Sequence, residues 1–327
     1  MCEDENLVRR QSLFTLNKDK IQRSINNIGS CIQKFSSELC GHQSQQSVDI
    51  DDRVNEVRDL LMKEFQSNTE KYDENDIALI LQHSEYRYVE RFLERQKYCV
   101  EECVKMIKDT LRWRKEEGLS NLTDYSFPEL CYSIGFQYIY EFDCDHNSVV
   151  HIRFKFYHKY NQHFVNLMEK YFCYLAFKAD QIGAQLNTGW ILVADLTSVS
   201  VRQWDLQHFL WLLKIYTNYC PFGLRKVIIY NIAWFLKPIL NAAYAVIPQH
   251  IKNIMYVVHA DQLHSFIPKA NLPKYLGGCS HIDHHRPPCD HSLPSIYAYM
   301  SAKYGMCFSE VRNVMKKYEK LIDDDDH

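Results

Sequence analysis

Apolar residues recur along this chain with two periods, and the change from one to the other separates its parts. Val54, Val57, Leu60, Leu61 and Phe65 follow a helical spacing, and Asp49, Asp51 and Asp52 just ahead suit a helix start, where unpaired amides and the dipole favour negative charge. Val100, Cys103, Val104, Ile107 and Leu111 form a second helical stripe that Gly118 closes. Together they predict an all-helical N-terminal subdomain over residues 51–119. From Ser148 the period becomes two. Val150, Ile152, Phe154 and Phe156 alternate with His151, Arg153 and Lys155, as in a strand with one covered face. Short apolar runs at Trp190–Asp195, Lys226–Asn231 and Ile254–Val258 predict three more strands, and helical patterns at 163–186 and 204–218 separate the first three. Strand and helix in alternation predict an α/β fold, a small sheet with flanking helices, over residues 120–280.

One connection departs from this scheme. Ala233 to Ile247 is apolar almost throughout, and a helix apolar on nearly every side needs cover from protein on one flank and from something else on the other. A lipid or a membrane surface would serve. The longer apolar stretch Val227–Ile247 is not read as a membrane span, because Asn231, Lys237, Pro238 and Asn241 interrupt it. Residues 1–50, rich in Ser, Gln and Asn, predict a disordered extension. Residues 281–327 predict a polar tail with one short amphipathic helix through Val311, Val314, Met315, Tyr318 and Leu321.

Composition narrows the function. With 46% hydrophobic residues, 22 Tyr and 17 Phe, the chain has ample material for a core. A net charge of -3 provides no broad positive field, so nucleic acid is not expected as a partner. The 12 cysteines form no CxxC pair, and the acidic start Cys2-Glu3-Asp4-Glu5 does not resemble a secretory signal, so a reducing cytosol is expected. Only 10 glycines are present, without GxGxxG, GxxxxGK[ST] or GxSxG, so nucleotide cradles and a nucleophile elbow are not expected, nor is an enzyme. One cluster has metal-binding chemistry: Cys279, His281, His284, His285, Cys289 and His291 carry the thiolate and imidazole groups that zinc prefers, with Cys279, His281, His285 and Cys289 as candidate ligands. Their irregular spacing and Pro287-Pro288 fit a polar, non-liganding tail as well.

Tyr88-Val89-Glu90-Arg91-Phe92-Leu93-Glu94-Arg95, Leu111-Arg112-Trp113-Arg114-Lys115 and Asn271-Leu272-Pro273-Lys274-Tyr275-Leu276-Gly277-Gly278 resemble the opening and closing segments of the CRAL-TRIO family. Val193-Ala194-Asp195-Leu196 and Tyr230-Asn231 stand between them in the expected order. Within the family, Val57-Arg58-Asp59, Lys71-Tyr72-Asp73 and Ile232-Ala233-Trp234 are most similar to the branch joined to a motile sperm domain. The resemblance implies a CRAL-TRIO fold with an apolar pocket, a bound lipid in place of a cofactor, and transient contact with a membrane surface, in the cytoplasm or peripherally on endomembranes such as the endoplasmic reticulum. It places Phe154, Phe172, Cys173, Ala176, Trp190, Leu192, Leu212, Ile215 and Val227 around the lipid, and Trp234, Phe235, Ile239, Leu240, Ala243, Tyr244 and Ile247 on a mobile gate helix.

Two departures qualify it. The Glu and Lys that hold an inositol head group in some members correspond here to Phe222 and Ile247, which leaves Arg225 and Lys226 as candidate head-group contacts. Asn231-Ile232-Ala233 lacks the family's frequent proline, which implies a looser gate hinge. The other reading is a non-transporting protein-interaction scaffold whose pocket is filled by bulky side chains such as Trp190, Phe154 and Phe172.

Overall fold

The chain opens with helices that pack through the stripes described above. In the computed structural model, which describes residues 50–82, 87–159, 161–200, 205–219, 223–287 and 292–323, α1 (Ile50–Ser67) buries Val54, Val57, Leu61 and Phe65. After α2 (Glu74–Leu81) and α3 (Tyr88–Arg95), α4 (Val100–Glu116) buries Cys103, Ile107 and Leu111 in the same cluster. Readings that concern residues 1–49, Phe222, Cys289 and His291 lie outside the described residues.

A short α5 (Leu130–Ser133) leads into β1 (Gln137–Phe142), which pairs antiparallel with β2 (Ser148–Arg153). Beyond it β2, β3 (Trp190–Asp195), β4 (Leu224–Tyr230) and β5 (Met255–Val258) run parallel, and the sheet order is β1-β2-β3-β4-β5. Crossovers between parallel neighbours are right-handed, so α6 (Gln162–Gln185), α7 (Leu206–Asn218) and α8 (Lys237–Val246), stepping one strand at a time in the same direction, all come to one face. The predicted first strand ends earlier than its alternation suggests: β2 stops at Arg153, and Phe154–Phe156 form a 3-10 turn.

Strand parity and register divide the side chains between the faces. Val150, Ile152, Trp190, Leu192, Ala194, Val227 and Ile229 belong to the helical face. Val149, Ile191, Val193, Ile228, Tyr230 and Val258 belong to the other, where irregular chain supplies the cover through Leu263, Ile267, Leu272 and Leu276. That cover accounts for the closing glycine pair. A Cβ on Gly278 would lie 1.9 Å from the Leu272 carbonyl oxygen, and Gly277 holds a φ of 76°.

The tail carries more than the one helix expected. α10 (Ile296–Tyr304), capped by Ser295, precedes α11 (Phe308–Asp323). Their Ile296, Met300, Val311, Val314, Met315 and Tyr318 join the main core, with Tyr318 stacked 6.2 Å from Phe164 of α6.

Candidate functional site

On the helical face the cover is uneven. α6 lies over β1, β2 and β3, and its Phe164, Leu167, Met168, Phe172 and Ala176 are buried. Above β3, β4 and β5 the apolar side chains are incompletely covered. Leu192, Ala194, Val227 and Met255 are half-buried and Val257 is 48% exposed, although β3 and β4 are interior strands, which normally bury both faces. The helix above this floor shows the same deficit. In α7 only His208 and Ile215 are buried among residues whose side chains are described, while Phe209, Leu210, Trp211, Leu212 and Leu213 remain half-buried all round. A helix apolar on every side is expected to be enclosed, so floor and wall together present apolar surface that the protein covers only in part.

The residues proposed to line the ligand fall into two groups. Phe154, Leu192, Leu212 and Val227 are half-buried at the edge of the main core. Phe172, Cys173, Ala176, Trp190 and Ile215 are sealed by protein, with Phe172 packed edge-on against Trp211 at 6.1 Å. The Trp190 indole N–H is buried without a hydrogen-bond partner. Ala194, Met255 and Val257 were not singled out. Even spacing from Leu192 within β3 would have found Ala194, and register with β4 is needed for the other two.

The over-apolar segment forms a 3-10 turn at Trp234–Leu236 followed by α8. Leu236 and Leu240 pack on Leu196, Val199, Ile229 and Ile232 at the C-terminal ends of the strands, with Ile239 partly buried against them. Ala243 and Ile247 are buried as well. Its outer side is bare: Trp234 is 80% exposed, Phe235 38% and Tyr244 39%. A tryptophan side chain buries on the order of 200 Å², so moving one from water into an apolar medium is favourable by roughly 5 kcal/mol.

The turn that leads into α8 is better restrained than a missing proline implies. Ala233 takes a φ of -63°, the angle proline would impose. Asn231, at a φ of 52°, accepts from the Ala260 amide at 3.2 Å and donates to Thr197 Oγ1 at 3.3 Å. Side-chain bonds thus restrain the turn where a ring would have done so.

The two basic residues near the start of β4 differ in their surroundings. Lys226 Nζ lies 2.7 Å from Asp143 Oδ2 and 2.5 Å from Asp145 Oδ2, so its charge is compensated within the β1–β2 turn on the far face. Arg225 is exposed, at the register shift between the Trp190↔Leu224 and Ile191↔Lys226 pairs. Of the metal candidates that are described, Cys279 and His281 are exposed and His285 Nδ1 lies 2.7 Å from the Ser133 carbonyl oxygen, and no three His, Cys, Asp or Glu side chains converge among the described residues.

Residues 132–278 match the family described as CRAL/TRIO domain. That stretch is a CRAL/TRIO domain. All proposed ligand-lining and gate residues fall within it, and the Cys and His cluster from Cys279 onward falls outside. The fold also matches a solved structure, that of Sfh5, with a TM-score of 0.51 at 15% identity, covering 86% of this chain and 100% of that one. The match extends beyond the CRAL/TRIO domain, so the architecture of a sheet flanked by helices with a helical N-terminal region is shared. No helix among the described residues is long and apolar enough to cross a membrane.

Proposed function

We propose that the CRAL/TRIO domain binds a lipid or another hydrophobic ligand between the floor of β3, β4 and β5 and the walls of α7 and α8, and exchanges it with cytoplasmic membrane surfaces. The observation that carries this reading is the apolar floor left only half-covered at Leu192, Ala194 and Val227 in the middle of the sheet. Each CH₂ transferred from water contributes about 0.8 kcal/mol, so an acyl or isoprenoid chain laid along such a floor needs no strong polar contact to compete with a bilayer. The bare aromatic side of Trp234, Phe235 and Tyr244 fits the membrane side of the exchange, since aromatic rings favour the bilayer interface. Arg225, exposed at the start of β4, offers one charge to an anionic head group. Catalysis has no part in this reading. The likeness to the branch joined to a motile sperm domain supports work at endomembranes such as the endoplasmic reticulum.

Native mass spectrometry of the full chain, followed by transfer of NBD-labelled phosphatidylcholine between vesicles, tests the reading. A copurifying lipid, or transfer that falls several-fold in Trp234→Ala without loss of thermal stability, is the expected result. Protein free of ligand that moves no label between vesicles would rule it out. That outcome would favour the interaction scaffold, which draws support from the sealed side chains of Phe172, Trp190 and Ile215.

A further inference from the structure

The far end of the gate has its own hinge. α8 stops at Val246, Ile247 and Pro248 take extended backbone angles (φ -71° and ψ 132°, then φ -58° and ψ 146°), and a single turn, α9 (Gln249–Lys252), leads into β5. Ile251 buries that turn, and Lys252 lies over the Tyr244 ring at 5.2 Å, which ties α9 back to α8. On the opposite side of α9, Arg95 Nη2 at the end of α3 lies 2.6 Å from His250 Nε2. Among the described residues this is the only hydrogen bond or ion pair that joins residues 50–119 to residues 231–258.

The chemistry of this contact has one solution. A guanidinium only donates, so the His250 Nε2 must accept, and the imidazole must be neutral with its proton on Nδ1. Partial burial and the Arg95 charge push His250 down to about 4, consistent with a neutral ring at physiological pH. Arg95 is half-buried, and partial burial lowers its own pKa while the nearby Tyr216 of α7 opposes that shift. Arg95 therefore stands where the helical subdomain, one wall of the proposed ligand site and the gate's second hinge meet.

We propose that the Arg95–His250 hydrogen bond is a latch by which the N-terminal helical subdomain holds the distal hinge of the gate. With the bond made, α8 and α9 are pinned at both ends, at Asn231 by its side-chain bonds and at His250 by Arg95. With it broken, the unit swings about Asn231–Ala233 and uncovers the floor. Arg95 and His250 are positioning residues, acting through the helix they hold. The proposal rests on the gate reading above for its consequence but not for its geometry.

Amide hydrogen exchange on the full chain without lipid reads the latch directly. His250→Phe removes the acceptor at an exposed position that tolerates an apolar ring, and Arg95→Gln removes the charge. Each is expected to speed exchange across residues 237–252 by about 2- to 10-fold, the range for one net hydrogen bond, with no change in α4 or β2. The double variant is expected to exchange no faster than either single one, because both remove the same bond. Unchanged protection of 237–252 in His250→Phe, or effects that multiply in the double variant, would overturn the proposal. Transfer of NBD-labelled phosphatidylcholine between vesicles then separates the two ideas. Faster amide exchange with no lipid transfer by any variant leaves the latch standing and removes the lipid-carrier reading instead.

Discussion

His151 illustrates how much a single side chain can hold back. It lies in β2 on the far face at 1% exposure, stacked 5.0 Å from Tyr138, and neither ring nitrogen has a hydrogen-bond partner. Burial, then the nearby positive charges of His284 and Arg153, push it down to about 3. An unfolded histidine titrates near 6.5, so between roughly pH 6.5 and 3 the unfolded chain takes a proton that the folded one refuses. Its contribution to stability is therefore full above about pH 6.5 and is lost as pH falls through that window. His151→Phe removes both the proton uptake and the unpaired polar atoms, and is expected to stabilise the fold by about 1–2 kcal/mol at neutral pH and to flatten the acid side of the stability profile. Urea unfolding at pH 7.5 and 5.0 checks this, and an equal acid loss in the variant would refute it. Alternation in β2 shows which side of the strand His151 takes, but the missing partners depend on chain far away in sequence.

The basic pair makes a second case at this scale. Asp143 is buried and Lys226 is its cationic partner, so Lys226→Met leaves a carboxylate in the interior and is expected to cost about 3 kcal/mol of stability in a thermal melt. Arg225→Gln is expected to leave the melt unchanged and to weaken association with anionic vesicles. If the stability loss follows Arg225 instead, the division between them is wrong.

Elements differed in how plainly the sequence announced them. β3 and β4 were readable as apolar runs because interior parallel strands carry apolar side chains on both faces, and the α4 stripe was readable because only one side of that helix is covered. β1 was missed. It is an edge strand of tyrosines and polar residues, Gln137-Tyr138-Ile139-Tyr140-Glu141-Phe142, with its register broken between Ile139 and Phe142. The cover of 259–278 was legible only through its glycine pair, since 3-10 turns have no period to detect. The half-covered floor was legible only through the family resemblance, which named Leu192 and Val227, because no period in the sequence marks what a helix above the sheet leaves exposed. Two element-level outcomes follow. Leu192→Trp adds bulk on the half-covered floor and is expected to abolish lipid uptake with little change in melting temperature, whereas a large destabilisation would mean that protein already fills the site. Ala233→Pro matches the φ already adopted, and is expected to stabilise by about 0.4–1 kcal/mol in urea unfolding.

At the scale of the molecule, α10 and α11 are part of the core that α1 begins. Val311, fully buried in α11, shares a cluster with Val57 and Leu61 of the first helix. Val311→Asp is therefore expected to cost about 3–5 kcal/mol and to lower the single unfolding transition of the whole chain; mere fraying of residues 296–323 would contradict this.

That arrangement has a consequence for synthesis. A ribosome emits the sheet and its crossovers well before Ile296 to Tyr318 emerge, and until then the flank of α6 around Phe164 faces water. A nascent chain stalled at that stage would hold its strands while still offering a greasy surface to chaperones, and release of the last segment would complete the fold.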